Sequence, residues 1–233
     1  MRFNEVEKLP IDVKKAIDKR VSTRSYEEKS LSEADRKKLM DFNDSLKNPF
    51  DVNVKVQYIS KEAGAKDVKL GTYGTIKGAK DYLAITVKDE PFAMEAVGYQ
   101  FENLILYATN MGLGTVWLAA TFSRKDFENA MDISKDDIFP CICPVGYPGE
   151  KRSLIEKITR AGLGSKKRNA WEQMFTLNDF NTPLSKEEAG EYHASLEMLR
   201  LAPSATNAQP WAVVKAGKDF HFFCNYKNSI SEE

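Results

Sequence analysis

The chain has 233 residues, with 34 basic and 34 acidic side chains and no net charge. That balance excludes a broad electrostatic footprint for nucleic acid, and no apolar run approaches the ~20 residues that span a bilayer. Hydrophobic residues make up 42% and charged residues 29%, the composition of one large soluble domain or two closely packed halves. The start, Met1 to Lys8, lacks the apolar core of a signal peptide. The three cysteines, an odd number, then read as reduced thiols. A cytoplasmic location is expected.

Periodicity predicts a first helix over Pro10 to Lys19, running into Arg20-Val-Ser-Thr-Arg-Ser-Tyr26. A second helix is predicted over Leu31 to Ser45, with Ser32 as N-cap and Glu33 and Asp35 in its first turn. Alternation of Val52, Val54, Val56 and Tyr58 predicts a half-buried strand to Ser60, and Tyr82 to Val87 reads as a shorter, more apolar one. Phe92 to Met111 is the longest helical run, apolar over a wide face and stopped at Gly112. A short strand over Thr115 to Leu118, a helix over Arg124 to Met131 and a strand over Cys141 to Gly146 follow, closed by a Gly-Tyr-Pro-Gly turn.

Cys141 and Cys143 flank Ile142 in that strand and point to one face. A metal or redox role needs partner ligands, and His193 and His221 lie far away in sequence. The pair reads as small apolar core residues, and no metal site is expected. Lys151 to Asn169 is strongly basic and reads as a solvated connector. After Trp171 to Pro183 come a helix over Ser185 to Arg200, a loop over Leu201 to Trp211, a strand over Ala212 to Lys215 and a last strand over Phe220 to Cys224. Helices and strands without regular alternation indicate an α+β fold.

The chain also carries a weak internal repeat. Arg20 to Tyr26 followed by Leu31 aligns with Met174 to Phe180 followed by Leu184, so that Ser22 meets Thr176 and Tyr26 meets Phe180. Each copy keeps half of a site. Arg20 and Arg24 become Met174 and Asn178 in the second copy, while the first copy has Lys47-Asn-Pro-Phe50 where the second has the loop from Pro203. Two units are expected, residues 1–165 as a first copy and 166–233 as a partial second copy packed on it.

Arg20, Ser22 and Arg24 alternate on an extended segment, so two guanidiniums and a hydroxyl can face one way. Such a forked donor set suits phosphate. In the loop, Pro203 stops the preceding helix, and Ser204, Thr206, Asn207 and Gln209 bring short polar side chains before Pro210 and Trp211. No acid–base dyad and no nucleophile with a partner base stand out.

These motifs carry a resemblance. Leu201-Ala-Pro-Ser-Ala-Thr-Asn-Ala-Gln-Pro-Trp211 resembles the Ala-Pro-Ser-x-x-Asn-x-Gln-Pro-Trp segment of the nitroreductase family of FMN oxidoreductases. Arg20-Val-Ser-Thr-Arg24 resembles its Arg-x-Ser-x-Arg signature, with Val21 where the commoner form has a second arginine. Met111-Gly-Leu-Gly-Thr-Val-Trp117, continuing to Thr121, is similar to its Gly-Leu-Gly-x-x-Trp stretch. The three segments bring the resemblance to most of the chain. It implies a nitroreductase-like fold, with an antiparallel-rich central sheet flanked by helices.

The resemblance also implies a flavin site. Arg20, Val21, Ser22 and Arg24 would hold the FMN phosphate and ribityl chain. A backbone N–H near Leu118, Ala119 or Ala120 would address the flavin ring. Lys151 and Arg152, after the Gly-Tyr-Pro turn, would lie near the phosphate, and Tyr73 would approach from its loop. Pro203, Ser204, Ala205 and Asn207 would form the loop that touches the flavin, which in the family is bound mainly by the partner subunit. FMN would carry the chemistry, with NADH or NADPH as co-substrate, ping-pong hydride transfer and a small electron-poor acceptor such as a nitroaromatic or quinone. No nucleic acid or membrane partner is expected. Because each repeat keeps half of a site, a monomer acting as an intrachain pseudo-dimer with one FMN is expected. A flavin-sequestering protein without useful turnover, and a flavin-fragmenting or dehalogenating relative, stay open as alternatives.

Overall fold

A computed structural model of the chain describes residues 8–61, 70–150 and 167–224. Two compact units divide the chain between Glu156 and Lys157. That boundary and the expected one between residues 165 and 166 both lie outside the described residues.

Capping side chains set the first two helices. The Lys15 N–H donates to Asp12 Oδ1 at 3.0 Å, so α1 spans Val13–Lys19 and starts three residues later than the sequence pattern suggests. Ser32 Oγ accepts the Asp35 N–H at 3.1 Å and starts α2, Glu33–Ser45, with Glu33 and Asp35 in the first turn as expected. The rest of the first unit comprises β1 (Val54–Ser60), β2 (Asp81–Lys88), α3 (Ala93–Asn110), β3 (Gly114–Thr115), α4 (Arg124–Glu128) and β4 (Asp137–Gly146).

The strands form an antiparallel sheet in the order β1-β2-β4-β3. Its two-residue period sorts the core. Leu83, Ile85, Val87, Cys141 and Cys143 face α3, where Phe101, Leu104 and Ile105 are fully buried. Tyr82, Ala84 and Ile142 face the other way, against Phe122, Phe127 and Phe139. Cys141 and Cys143 are therefore core residues on one face, and burial pushes the Cys141 thiol up to about 12.

Boundaries moved where a local feature intervened. β4 begins four residues earlier than expected, because a register shift opposite Phe139 and Pro140 lets the strand absorb a proline that has no N–H for the ladder. The expected strand from Thr115 to Leu118 shrinks to β3 plus one bridge between Leu118 and Ile142. The helix from Arg124 ends at Glu128.

The second unit contains α5 (Trp171–Met174), β5 (Phe175–Leu177), α6 (Lys186–Ala189), α7 (His193–Leu201), β6 (Trp211–Ala216) and β7 (Asp219–Cys224). Its sheet runs β5-β6-β7, with β5 parallel and β7 antiparallel to β6. The helix expected from Ser185 to Arg200 is broken at Gly190, whose φ of 58° is open to a residue without Cβ, and a 3₁₀ turn over Gly190–Tyr192 separates α6 from α7. Trp171, Met174, Phe175, Leu184, Leu196 and Val213 form the core, and the Trp171 indole N–H donates to the Leu184 carbonyl at 2.6 Å. Together the units are α+β. No helix among the described residues is long and apolar enough to cross a membrane.

Candidate functional site

The segment after α1 is pinned on both edges. Arg20 caps the helix, its N–H bound to the Ala16 carbonyl at 2.8 Å. Ser22 then pairs with Thr115 in a parallel bridge, and the Thr23 N–H donates to the Thr115 carbonyl at 2.9 Å. From the other side Lys77 donates its N–H to the Arg24 carbonyl and accepts the Tyr26 N–H, both at 2.9 Å. Thr23 and Ser25 are buried, whereas Arg20, Ser22 and Arg24 are half-exposed on the alternate face. The three proposed donors thus share one accessible side of a fixed strand. Val21 breaks the strict alternation, being 39% exposed.

Two glycines explain how closely that strand is held. A Cβ on Gly114 would stand 2.7 Å from Thr23 Cγ2, and one on Gly78 would stand 2.1 Å from the Tyr26 carbonyl oxygen. The second glycine of the Gly-Leu-Gly motif is therefore required by the Arg20–Tyr26 strand itself. Tyr26 closes the arrangement, its hydroxyl donating to the Thr23 carbonyl at 2.7 Å and lying 3.1 Å from the Pro144 carbonyl.

Arg20 also meets an acid. Glu102, on α3, accepts the Trp117 indole N–H at 2.8 Å, and Trp117 packs edge-on against Phe101 with ring centroids 4.8 Å apart. Withdrawal from water raises the Glu102 carboxyl above its usual range, while the Arg20 charge and the Trp117 hydrogen bond pull it down. The sequence signal was available, since Glu102 is an acid within an otherwise apolar helix face.

The proposed ring-side segment of this unit follows Trp117. Leu118 has both backbone groups committed to Ile142, each at 2.9 Å. Its N–H is therefore committed within the fold, whereas Ala119 and Ala120, the other two residues expected to address a ring, are exposed. The neighbouring loop is tied alongside, because the Ser123 N–H donates to the Gly71 carbonyl at 2.8 Å and the Gly71 N–H to Asp126 Oδ2 at 3.2 Å. Tyr73 stands 71% exposed on it, with φ 46°. Lys151 and Arg152 lie outside the described residues. A polar cavity of about 400 Å³ lies after α2, lined by Asn43, Lys47, Asn48, Asp51 and Gln100 among others, and none of the proposed site residues lines it.

In the second unit the turn after α7 is built by its own amides. The Gln209 N–H donates to Ser204 Oγ at 2.8 Å, and the Asn207 N–H to the Ser204 carbonyl at 3.1 Å. Thr206, Asn207 and Gln209 all have positive φ, at 52°, 59° and 49°. Pro203 and Ser204 are half-buried, and Ala205 and Thr206 are exposed at the tip. Arg168 donates to Asn207 Oδ1 at 3.2 Å and to the Leu201 carbonyl at 3.1 Å. The end of the basic stretch is thus an organiser of this turn rather than a solvated connector, and composition alone carried no sign of it. Of the repeat positions, Met174 is 1% exposed and Asn178 has φ 62°. Neither can stand in for an arginine on an extended strand.

The matched family model is described as "Putative TM nitroreductase" and covers residues 12–232. Comparison with curated proteins gave no match. Among solved structures, the chain is similar to a "putative nitroreductase" from Thermotoga maritima, at 20% identity and TM-score 0.55, over 94% of this chain and 78% of that one. It is also similar to a "Putative NADH dehydrogenase/NAD(P)H nitroreductase" from Bacteroides thetaiotaomicron, at 21% identity and TM-score 0.50, over 60% and 89%. These likenesses show a shared fold, and the family model, matching nearly the whole length, shows that the chain belongs to the nitroreductase family.

Proposed function

We propose that this chain binds FMN and uses it to pass electrons from NADH or NADPH to a nitroaromatic, quinone or similarly electron-poor acceptor, in two successive half-reactions. The observation that carries the reading is the Arg20–Ser22–Arg24 face, half-exposed on a strand fixed by Thr115 and Lys77. Its chemistry fits a phosphate monoester, since two guanidiniums supply charge and forked N–H donors and Ser22 adds a hydroxyl. The redox chemistry would be that of the flavin, while the chain binds, orients and shields. Arg20 and Arg24 would compensate the phosphate charge. The exposed Ala119–Ala120 backbone would supply a donor toward the ring, and the small side chains leave room for a flat ligand.

The reading includes one FMN per chain in a monomer. It is supported by the distribution of donors, because the second copy has buried Met174 and turn-forming Asn178 in place of the arginines. A cytoplasmic location is included as well, supported by three cysteines without disulfides.

The test is to add FMN to purified protein and then mix it anaerobically with NADH or NADPH. Flavin binding followed by bleaching of the visible band is expected. Binding without bleaching would leave a flavin-sequestering protein, and no binding at all would overturn the reading. Flavin per chain, measured with solution mass, checks the stoichiometry, and two FMN per chain would overturn that part alone.

A further inference from the structure

The turn from Ala202 to Gln209 is strained, and contacts from outside it add to its own hydrogen bonds. Thr206 is β-branched, yet its φ is 52°, and Asn207 and Gln209 follow at 59° and 49°. Such a conformation persists only when neighbouring groups over-determine it. Those groups come from Lys167, Arg168 and Asn169. The Lys167 carbonyl accepts the Asn207 side-chain amide at 3.2 Å and the Gln209 side-chain amide at 3.5 Å. The Asn169 N–H donates to Gln209 Oε1 at 2.9 Å. Arg168 reaches further than either neighbour, with one guanidinium nitrogen on Asn207 Oδ1 and the other on the Leu201 carbonyl. Leu201 is the last residue of α7, where carbonyls lack helical partners. One planar fork therefore ties the stem of the turn to its far side.

We propose that Arg168 is the positioning residue of this turn, and that the Asn207 side chain serves the same internal lattice rather than a ligand. Asn207 presents its oxygen to Arg168 and its nitrogen to the Lys167 carbonyl, so its carboxamide is used from both ends. The outward surface of the turn is left to Ala205, Thr206 and Ala208, all exposed. A lysine at 168 would keep the charge but lose the fork, since an ammonium is a point donor on a flexible stem. This inference rests on the proposed flavin site only for what the turn faces. The internal geometry stands apart from it.

The experiment uses the full chain. Amide hydrogen exchange over residues 202–209 is followed in the flavin-free wild type, Arg168→Lys, Asn207→Ala and the double variant. Exchange of the turn should accelerate about tenfold or more in each single variant, the loss expected for a hydrogen bond to a charged group. The double variant should accelerate exchange by less than the product of the two single effects, because the two residues share one hydrogen bond while each keeps a separate one. Titration then compares FMN with riboflavin, and Arg168→Lys should weaken both by the same factor. Unchanged exchange in the turn would overturn the proposal. So would loss of FMN binding alone with riboflavin unaffected, since Arg168 would then be a phosphate donor. If Arg168→Lys does not fold, Asn207→Ala decides by the same exchange criterion. Wild type that binds neither flavin would end the flavin reading and leave the exchange result to judge Arg168.

Discussion

Gly114 and Thr23 approach so closely that no side chain fits between them, a Cβ on the glycine falling 2.7 Å from Thr23 Cγ2 and 2.9 Å from its Oγ1. This contact, together with the Thr23 N–H bond to Thr115, sets how deep the Arg20–Arg24 strand lies in the first unit.

Gly114→Ala should therefore act at two levels. Overpacking a closed site costs typically about 1–3 kcal/mol, which thermal or urea unfolding would register. Because Thr23 lies between Ser22 and Arg24, the same substitution should weaken FMN binding as well. Thr23→Ala in the Gly114→Ala background should return part of the stability, since it removes the methyl and hydroxyl that the new Cβ meets. A neutral Gly114→Ala would mean that the strand tolerates displacement.

Removing both guanidiniums tests the phosphate clamp. Each charge-assisted hydrogen bond contributes about 1.5–3 kcal/mol, so Arg20→Ala with Arg24→Ala should weaken FMN by several orders of magnitude. Riboflavin, which has no phosphate, should lose much less. Fluorescence titration of both ligands gives the ratio, and equal losses would assign the arginines to the fold.

Glu102 makes stability depend on pH with a definite sign. Its folded carboxyl binds protons more tightly than an unfolded one, so in the window above the ordinary glutamate range the native state holds more protons. Stability contributed by this group falls as pH rises through that window, and below it the penalty is absent. Glu102→Gln keeps an acceptor for the Trp117 N–H without the charge. Its melting temperature should exceed that of wild type at neutral pH, with the advantage shrinking as the pH drops toward 4. An advantage independent of pH would show that charge burial is not the cause.

The thiols provide a check on the sheet register. Cys141 and Cys143 are buried, with the Cys141 thiol pushed up to about 12, whereas Cys224 is exposed. An aromatic disulfide reagent at pH 8 should modify one thiol per native chain quickly and all three only after unfolding. Rapid native modification of two or more would contradict the packing of β4 against α3.

Legibility from sequence followed the range of the forces involved. The caps at Ser32 and Gly112, the broad apolar face of α3 and the shared face of Cys141 and Cys143 are written in neighbouring residues, and the structure has them where the pattern puts them. The alternation of Arg20, Ser22 and Arg24 was equally local. What escaped was set by distant partners. The commitment of the Leu118 N–H depends on Ile142, the closeness of Gly114 depends on Thr23, and the work of Arg168 depends on a turn near residue 207. The break at Gly190 was visible in principle, but a lone glycine in a periodic run does not announce which sign of φ it takes.

The parallel pairing of β5 with β6 has a consequence in time. Phe175 lies opposite Val213, and every residue of α6, α7 and the strained turn lies between the two strands. Parallel strands cannot be joined by a tight hairpin, so this ladder closes only after the whole crossover has been traversed. The antiparallel β6–β7 pair, separated by a two-residue gap at Gly217 and Lys218, needs no such closure. The second unit therefore combines a local hairpin with a seam that needs a long closure, and the seam is expected to form the more slowly.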